Sequence, residues 1–145
     1  MGEGFDDAAE INRKIVQDAF DAWAAGTAPI SDLFAPEMVW RIEGTSIISE
    51  QYQDSAQFLD QVLSPFAARF AAGERFRPVR IRAIHADADT VVVLWDGHGV
   101  ANDGLPYDNS YAWFMTLADG KVVDATAFFD TITLNDLWTR VPPAG

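Results

Sequence analysis

Two phenylalanines run into an aspartate at Phe128-Phe129-Asp130, closing a stretch, Val122 to Thr131, that otherwise reads as a buried strand. A carboxylate is costly to bury unless it is paired or protonated. Three fates are open to Asp130. It escapes to water and caps the turn that Thr131 begins, it finds a partner, or it sits in a cavity. In a cavity its pKa would rise and suit it to general acid or base work. Neutral donors lie nearby in sequence. On YDNSYAWFM, Tyr107, Asn109, Tyr111 and Trp113 share one face of a strand and Asp108, Ser110, Ala112 and Phe114 the other. Tyr111 and Asn109 are candidates to steady a developing enolate oxygen; otherwise the tyrosine packs and its hydroxyl finds a backbone carbonyl. His98 shares a face with Leu94, Asp96 and Val100, and is either a proton partner for Asp130 or a rim or core histidine bonded to backbone. Trp40, Trp95, Trp113 and Phe128 are candidate walls for a ring-bearing substrate, or plain core. Glu43 and Tyr52 flank an irregular segment and reach either a cavity mouth or solvent.

Other chemistries find no residues. The chain has no cysteine, which excludes thiolates, disulfides and cysteine-ligated metals. Its two histidines stand apart from any HExxH-type set, no glycine-rich loop has phosphate-binding spacing, and Ser64 and Ser110 lack a nucleophile-elbow context. The expectation is therefore chemistry without a cofactor or metal. A net charge of −12 repels phosphate backbones, so nucleic acid is not an expected partner. No apolar run reaches the ~18 residues of a membrane span. The acidic N-terminus lacks the layout of a secretion signal. The absence of cysteine fits a reducing compartment, and a cytoplasmic protein is expected.

The elements that must position these residues follow from hydrophobic period. Ile11, Ile15, Ala19 and Trp23 recur every fourth residue, which predicts a helix from Asp7 to Ala25 that Gly26 stops. SDLF reads as a short second helix, MVWRI as a strand and EGTSIISEQYQ as irregular. Asp54 opens a further helix running to Gly73, with a kink or break at Pro65. The period then changes to two, and four consecutive antiparallel strands follow, with turns at Asp87–Asp89, at ANDGLP and at ADGK. LNDLWTRV forms a terminal helical turn. Residues 1–145 make one domain, with 1–6 and 140–145 expected to fray. Segregated helices and a meander mean an α+β fold, and a curved, mainly antiparallel sheet around the helices makes a conical half-barrel, bent at Gly97 and Gly99.

This order of elements resembles the nuclear transport factor 2-like superfamily, in its SnoaL-like branch. The first helix ending AWAAG, the strand MVWRIEG and above all GLPYDNSYAWFMTLADGKVVDATAFFDT carry the likeness, which spans Ile11 to Trp138. The resemblance implies a cone with a deep apolar pocket and a homodimer packed through the sheet. It also implies Tyr107, Asn109, Tyr111, Phe128 and Asp130 pointing inward. Asp130 matches the acid/base position of the polyketide cyclases. Phe20 stands where ketosteroid isomerases carry a tyrosine, and Glu43 where they carry their base. Limonene-epoxide hydrolases need an arginine beside the position of Asp96, and LWDGHG offers none. The dehydratases' helix-end aspartate is missing from AWAAG.

The leading expectation is a cofactor-free enzyme of this branch acting on a small, mainly apolar, carbonyl-bearing molecule, aromatic or polycyclic. Proton transfer would drive isomerisation, aldol-type cyclisation or dehydration. The alternative is a non-catalytic carrier of a hydrophobic ligand on the same scaffold. A third possibility is a dimerisation module whose cone is filled by its own side chains.

Overall fold

The computed structural model describes residues 3–144, with side chains from residue 7 onward. Of the residues 1–6 expected to fray, 1–2 lie outside the described residues and the backbone of 3–6 is part of the first helix. Helix α1 spans Glu3–Ala25. Its buried line is Val16 and Phe20, with Ile15, Ala19 and Trp23 packed beside it. Ile11 belongs to the same four-residue series yet is 59% exposed. A strict spacing of four drifts by about 40° per step on a helix of 3.6 residues per turn, so the ends of the series leave the buried face. Gly26, at φ +79°, ends the helix in the left-handed conformation, and Arg75 donates to the Ala24 carbonyl there.

A 3₁₀ turn, Ile30–Leu33, leads into β1, Phe34–Ile42, which is longer than MVWRI alone. The irregular segment contains a two-residue strand, β2, Gln51–Tyr52. Asp54 caps α2, Ser55–Phe58, by accepting from the Gln57 N–H at 2.8 Å. The chain then makes a π-helical turn, Leu59–Leu63, and continues as α3, Ser64–Ala67. Proline has no N–H to donate and disturbs the turn before it. The break expected at Pro65 is thus taken up as one wide turn, in which the Ser64 N–H reaches back to Leu59. The helix stops at Ala67, short of Gly73.

Strands β3 (Arg77–Asp87), β4 (Thr90–Val100), β5 (Pro106–Ala118) and β6 (Lys121–Phe129) form the expected antiparallel meander. Asp119 and Gly120, both at positive φ, make the two-residue turn between β5 and β6. The six-stranded sheet has the order β2-β1-β6-β5-β4-β3, and β1 joins β6 in parallel. The sheet curves round α1 and the second helical segment, giving the α+β half-open cone. One continuous apolar core runs through it. Among the described residues no helix is long and apolar enough to cross a membrane.

Helix α4, Thr131–Arg140, closes the chain. The fraying expected over 140–145 does not hold for Val141, which is buried, or for Ala144, whose N–H bonds to the Ala68 carbonyl. The cause is Arg69. Its buried guanidinium donates to the carbonyls of Val141 (2.7 Å), Pro65 (2.9 Å) and Trp138 (3.3 Å) and stacks on the Trp138 ring. Three carbonyls and an aromatic face satisfy a charge that would be costly to bury bare.

Gly97 and Gly99 serve close packing as well as curvature. A Cβ on Gly97 would lie 2.1 Å from the Phe76 ring, and one on Gly99 2.7 Å from the Phe70 ring and 2.9 Å from the Phe76 backbone. Gly99→Ala is expected to destabilise the protein by about 1–3 kcal/mol through overpacking. Urea denaturation checks this, and an unchanged midpoint would contradict the packing argument.

Candidate ligand cavity

Strand alternation builds the interior of the cone. Trp95 on β4, Tyr107, Asn109, Tyr111 and Trp113 on β5, and Ala125 and Ala127 on β6 are buried on the concave face. Trp40 and Ile42 of β1 extend it, Phe20 and Trp23 of α1 lie across it, and Phe58, Val62, Leu63 and Phe66 cover one side. The aromatic rings pack mostly edge to face. Trp113 sits centrally, with Trp40 at 4.8 Å, Trp95 at 5.0 Å and Phe20 at 5.5 Å between ring centroids. Such geometry matches positive ring edges to negative ring faces.

These rings leave a cavity of about 70 Å³, walled by Trp23, Trp40, Trp95, Trp113, Tyr111, Phe129 and their aliphatic neighbours. A second, outer hollow of about 290 Å³ lies between Pro29–Ser31, Leu59, Ser64 and Arg75. The two share Trp23, Leu63, Phe66 and Phe76, which form the partition between them. The inner wall carries no carboxylate, imidazole, amine or guanidinium. Among the described residues no group of three or more His, Asp or Glu is placed to hold a metal.

The polar atoms of the inner cone bond mostly to one another and to backbone. Asn109 fixes one end. Its Oδ1 accepts from the backbone N–H groups of Ser110 (2.8 Å) and Asp130 (3.3 Å), which orients the amide. Its Nδ2 then donates to the Asp130 carbonyl at 3.1 Å and to the Tyr107 hydroxyl at 2.8 Å. Tyr107 and Tyr111 hydroxyls meet at 2.9 Å. Two hydroxyl protons share that one contact, and no other acceptor among the described residues bonds either oxygen. Because Asn109 already donates to Tyr107, the arrangement in which Tyr107 donates onward leaves the spare proton on Tyr111, in the cavity wall. Burial pushes the Tyr107 phenol up to about 12 and Tyr111 well above the ordinary tyrosine value. Both keep their protons at neutral pH. The indole Nε1 atoms of Trp40 and Trp95 are buried without any partner. Each unpaired buried donor costs about 1–3 kcal/mol.

The charged residues lie elsewhere. The carboxylate of Asp130 is at the N-cap of α4, not in the cone. It accepts from the N–H groups of Ile132 (3.0 Å) and Thr133 (3.3 Å) and from the Thr133 hydroxyl (3.0 Å). These bonds, led by the Thr133 backbone, lower its pKa rather than raise it. Phe128 is likewise outward, 48% exposed and packed edge-on against Phe114. The expected inward set of β6 is thus corrected to Ala125, Ala127 and Phe129. Turning the other set inward would bury Asp124 in mid-strand. His98 is also on the outer face, where its Nδ1 lies 2.7 Å from Asp108 Oδ1 across β4 and β5. Asp96 does have an arginine beside it. Arg82 on β3 makes two bonds to it, at 2.6 and 3.2 Å, and a third to Ser110. Bulges in β3 bring this arginine into reach, but on the outside of the sheet.

Glu43 stands in solvent near Arg41, and the Tyr52 hydroxyl donates to the Ile48 carbonyl at 2.7 Å, so neither reaches the cavity. Of the residues singled out in the sequence, Trp40, Trp95, Trp113 and Tyr111 line it, and Tyr107 and Asn109 stand behind Tyr111. Trp23, Phe66, Phe76 and Phe129 escape a strand-based reading. Gly97 was the available signal for Phe76, since the ring occupies the space the glycine leaves.

The family model described as the SnoaL-like domain matches residues 16–125. The chain belongs to the SnoaL-like domain family. Among solved structures it is similar to an NTF2-like protein from Burkholderia thailandensis E264, at 20% identity and TM-score 0.68 over 87% of this chain and 95% of that one. It is similar also to a protein from Jannaschia sp. CCS1, provisionally named a SnoaL-like polyketide cyclase, at 19% identity and TM-score 0.68 over 90% and 92% of the chains. A third is TerC co-crystallised with polyporic acid, at 18% identity and TM-score 0.65 over 87% and 96%. Likeness at such identity establishes the fold. No curated protein matches the sequence significantly.

Asp130→Ala is expected to cost about 1 kcal/mol at neutral pH, as for loss of an N-cap. The folded pKa is depressed, so the stabilisation is present above the unfolded-state value and lost as pH falls through the folded one. The gap between variant and parent should close in acid. Thermal unfolding across pH checks this; a gap that widens in acid would contradict the capping role.

Proposed function

We propose that this chain binds a small apolar molecule in the aromatic cone and holds it without proton-transfer chemistry. One observation carries the reading: the wall of the cavity is aromatic and aliphatic and offers no base. Abstraction of a proton next to a carbonyl needs a base within hydrogen-bond reach of that proton, and the carboxylate proposed for the task caps a helix instead. The inner cavity alone is below the ~300 Å³ at which ligand pockets begin. Together with the outer hollow it reaches that range, and only side chains divide the two. The π-helical turn beside Leu63, a feature frequent at functional sites, supports a partition that yields when a ligand enters. A co-crystallised small molecule in TerC is consistent with a ligand-holding cone in this fold.

Titration with a small aromatic ketone should quench the fluorescence of the cone's tryptophans saturably. Ala127→Leu, which narrows the cavity, should weaken binding by about tenfold while unfolding stays cooperative. Ketone incubated with the protein in heavy water should return unlabelled. Deuterium next to the carbonyl, above the rate without protein, would replace the binding reading with the enzymatic one. That second reading would use the Tyr107–Tyr111 hydroxyl pair as donors to an oxyanion.

We propose further that the outer face of the sheet pairs with a second copy of the chain. Val79, Leu94, Phe114, Phe128 and Ile132 are exposed, with Val79, Leu94, Phe114 and Phe128 on the strands of that sheet. On that face Arg82 pairs with Asp96, and His98 lies in hydrogen-bond contact with Asp108. An exposed apolar patch of this kind supports self-association. Sedimentation should give twice the 16.0 kDa chain mass, and Phe128→Asp should return the single chain.

A further inference from the structure

We infer that the outer hollow holds the polar end of the ligand, and that this end is a single negative charge, a carboxylate on an apolar body, set against Arg75. The inference rests on the binding reading above and adds the charge of the ligand and the place of its head. Most of the wall of this hollow of about 290 Å³ would suit any greasy molecule. Arg75 breaks that pattern. Among the described residues it is the one charged side chain in the wall, and the hydroxyl-bearing Ser31 and Ser64 line the same space.

The guanidinium is held in position. Its Nη2 donates to the Ala24 carbonyl at 3.0 Å, at the C-terminal end of α1. It lies over Gly26, where an added Cβ would come within 2.9 Å of the same nitrogen. Capping a helix in this way spends one of the five N–H donors of an arginine. No carboxylate of the described residues takes the others. The ion pairs engage Arg13, Lys14, Arg41, Arg82 and Arg140, not Arg75. What is left is a fixed planar fork, which suits the two oxygens of a carboxylate.

The rest of the chain limits the charge. A net charge of −12 opposes anions in general, so one is held only where a nearby cation answers it. One guanidinium answers one charge. A phosphate monoester carries nearly two at neutral pH and would keep the second unbalanced. An amine would meet Arg75 as a like charge. Because Arg75 is exposed, a carboxylate beside it keeps much of its hydration. The apolar body then lies against Trp23, Leu63, Phe66 and Phe76, which separate this hollow from the inner cavity.

The test compares two probes of nearly equal shape by calorimetry, 4-phenylbutyrate and its neutral amide 4-phenylbutanamide. Both are titrated into the parent protein, Arg75→Gln and Arg77→Gln. Arg77 is the control for net charge: it donates to the Arg75 backbone carbonyl and is absent from the wall of the hollow. With no cation at the site the amide binds more tightly, since the carboxylate loses more hydration and an acidic chain repels it. With Arg75 as anchor the order reverses. The carboxylate should bind about tenfold more tightly at low salt, and the gap should shrink as salt screens an exposed pair. Arg75→Gln should abolish the preference and leave the affinity for the amide unchanged, while Arg77→Gln should keep it. Should Arg75→Gln unfold, the ranking on the parent protein and its salt dependence decide. Amide bound as tightly as carboxylate, or a preference that survives Arg75→Gln, overturns the inference and leaves the binding reading intact. The same holds if neither probe binds while the aromatic ketone still quenches the tryptophans. Binding of none of the three overturns both.

Discussion

One side-chain amide governs how the open end of this cone is built. Asn109 accepts from two backbone N–H groups and donates to a carbonyl and a phenol, using both ends of its amide. It grips the backbone of Asp130 from inside the sheet, and the carboxylate of that residue turns outward to start α4. The same amide orders the two tyrosines behind the cavity. Sheet end, helix start and the polarity of the cavity wall are thus coupled through a group buried at 7% exposure. A buried amide with both ends satisfied fixes geometry more strictly than an apolar residue of its size would.

The sheet then separates two kinds of physics. Its concave side collects tryptophans, phenylalanines and uncharged donors. Its outer side carries the ion pairs and the exposed apolar residues. Hydrogen bonds inside act at low dielectric and count for more than the same bonds in water. The ion pairs outside are partly solvated and contribute little stability each.

Local pattern made much of the architecture readable. Alternation located the long strands, Asp119–Gly120 marked a hairpin, and Pro65 marked a break. The motif-level likeness carried the family and the cone. What escaped was relational. Period two sorts β6 into two faces without saying which is inside, and the lone carboxylate of Asp124 in mid-strand was the available clue. The reach of Arg82 to Asp96 depends on bulges that sequence does not announce. Asp130 was ambiguous by chemistry, because an aspartate at a strand end is both a good helix cap and a good acid. Trp40, Trp95 and Trp113 could be read from strand alternation as either wall or core, while Trp23 and Phe66 came from helices whose inward residues were read as core.

The parallel joint between β1 and β6 has a kinetic consequence. Phe34 pairs with Val122 and Ile42 with Ala127, so the first strand finds its neighbour only after the meander is made. Contacts this distant in sequence form slowly because a long loop must close first. On a ribosome, β1 can pair at once only with the two-residue β2, and its other edge stays open until β6 is made. For that interval the nascent protein is open to association with other chains, and the cone closes only once β6 is available to pair with β1.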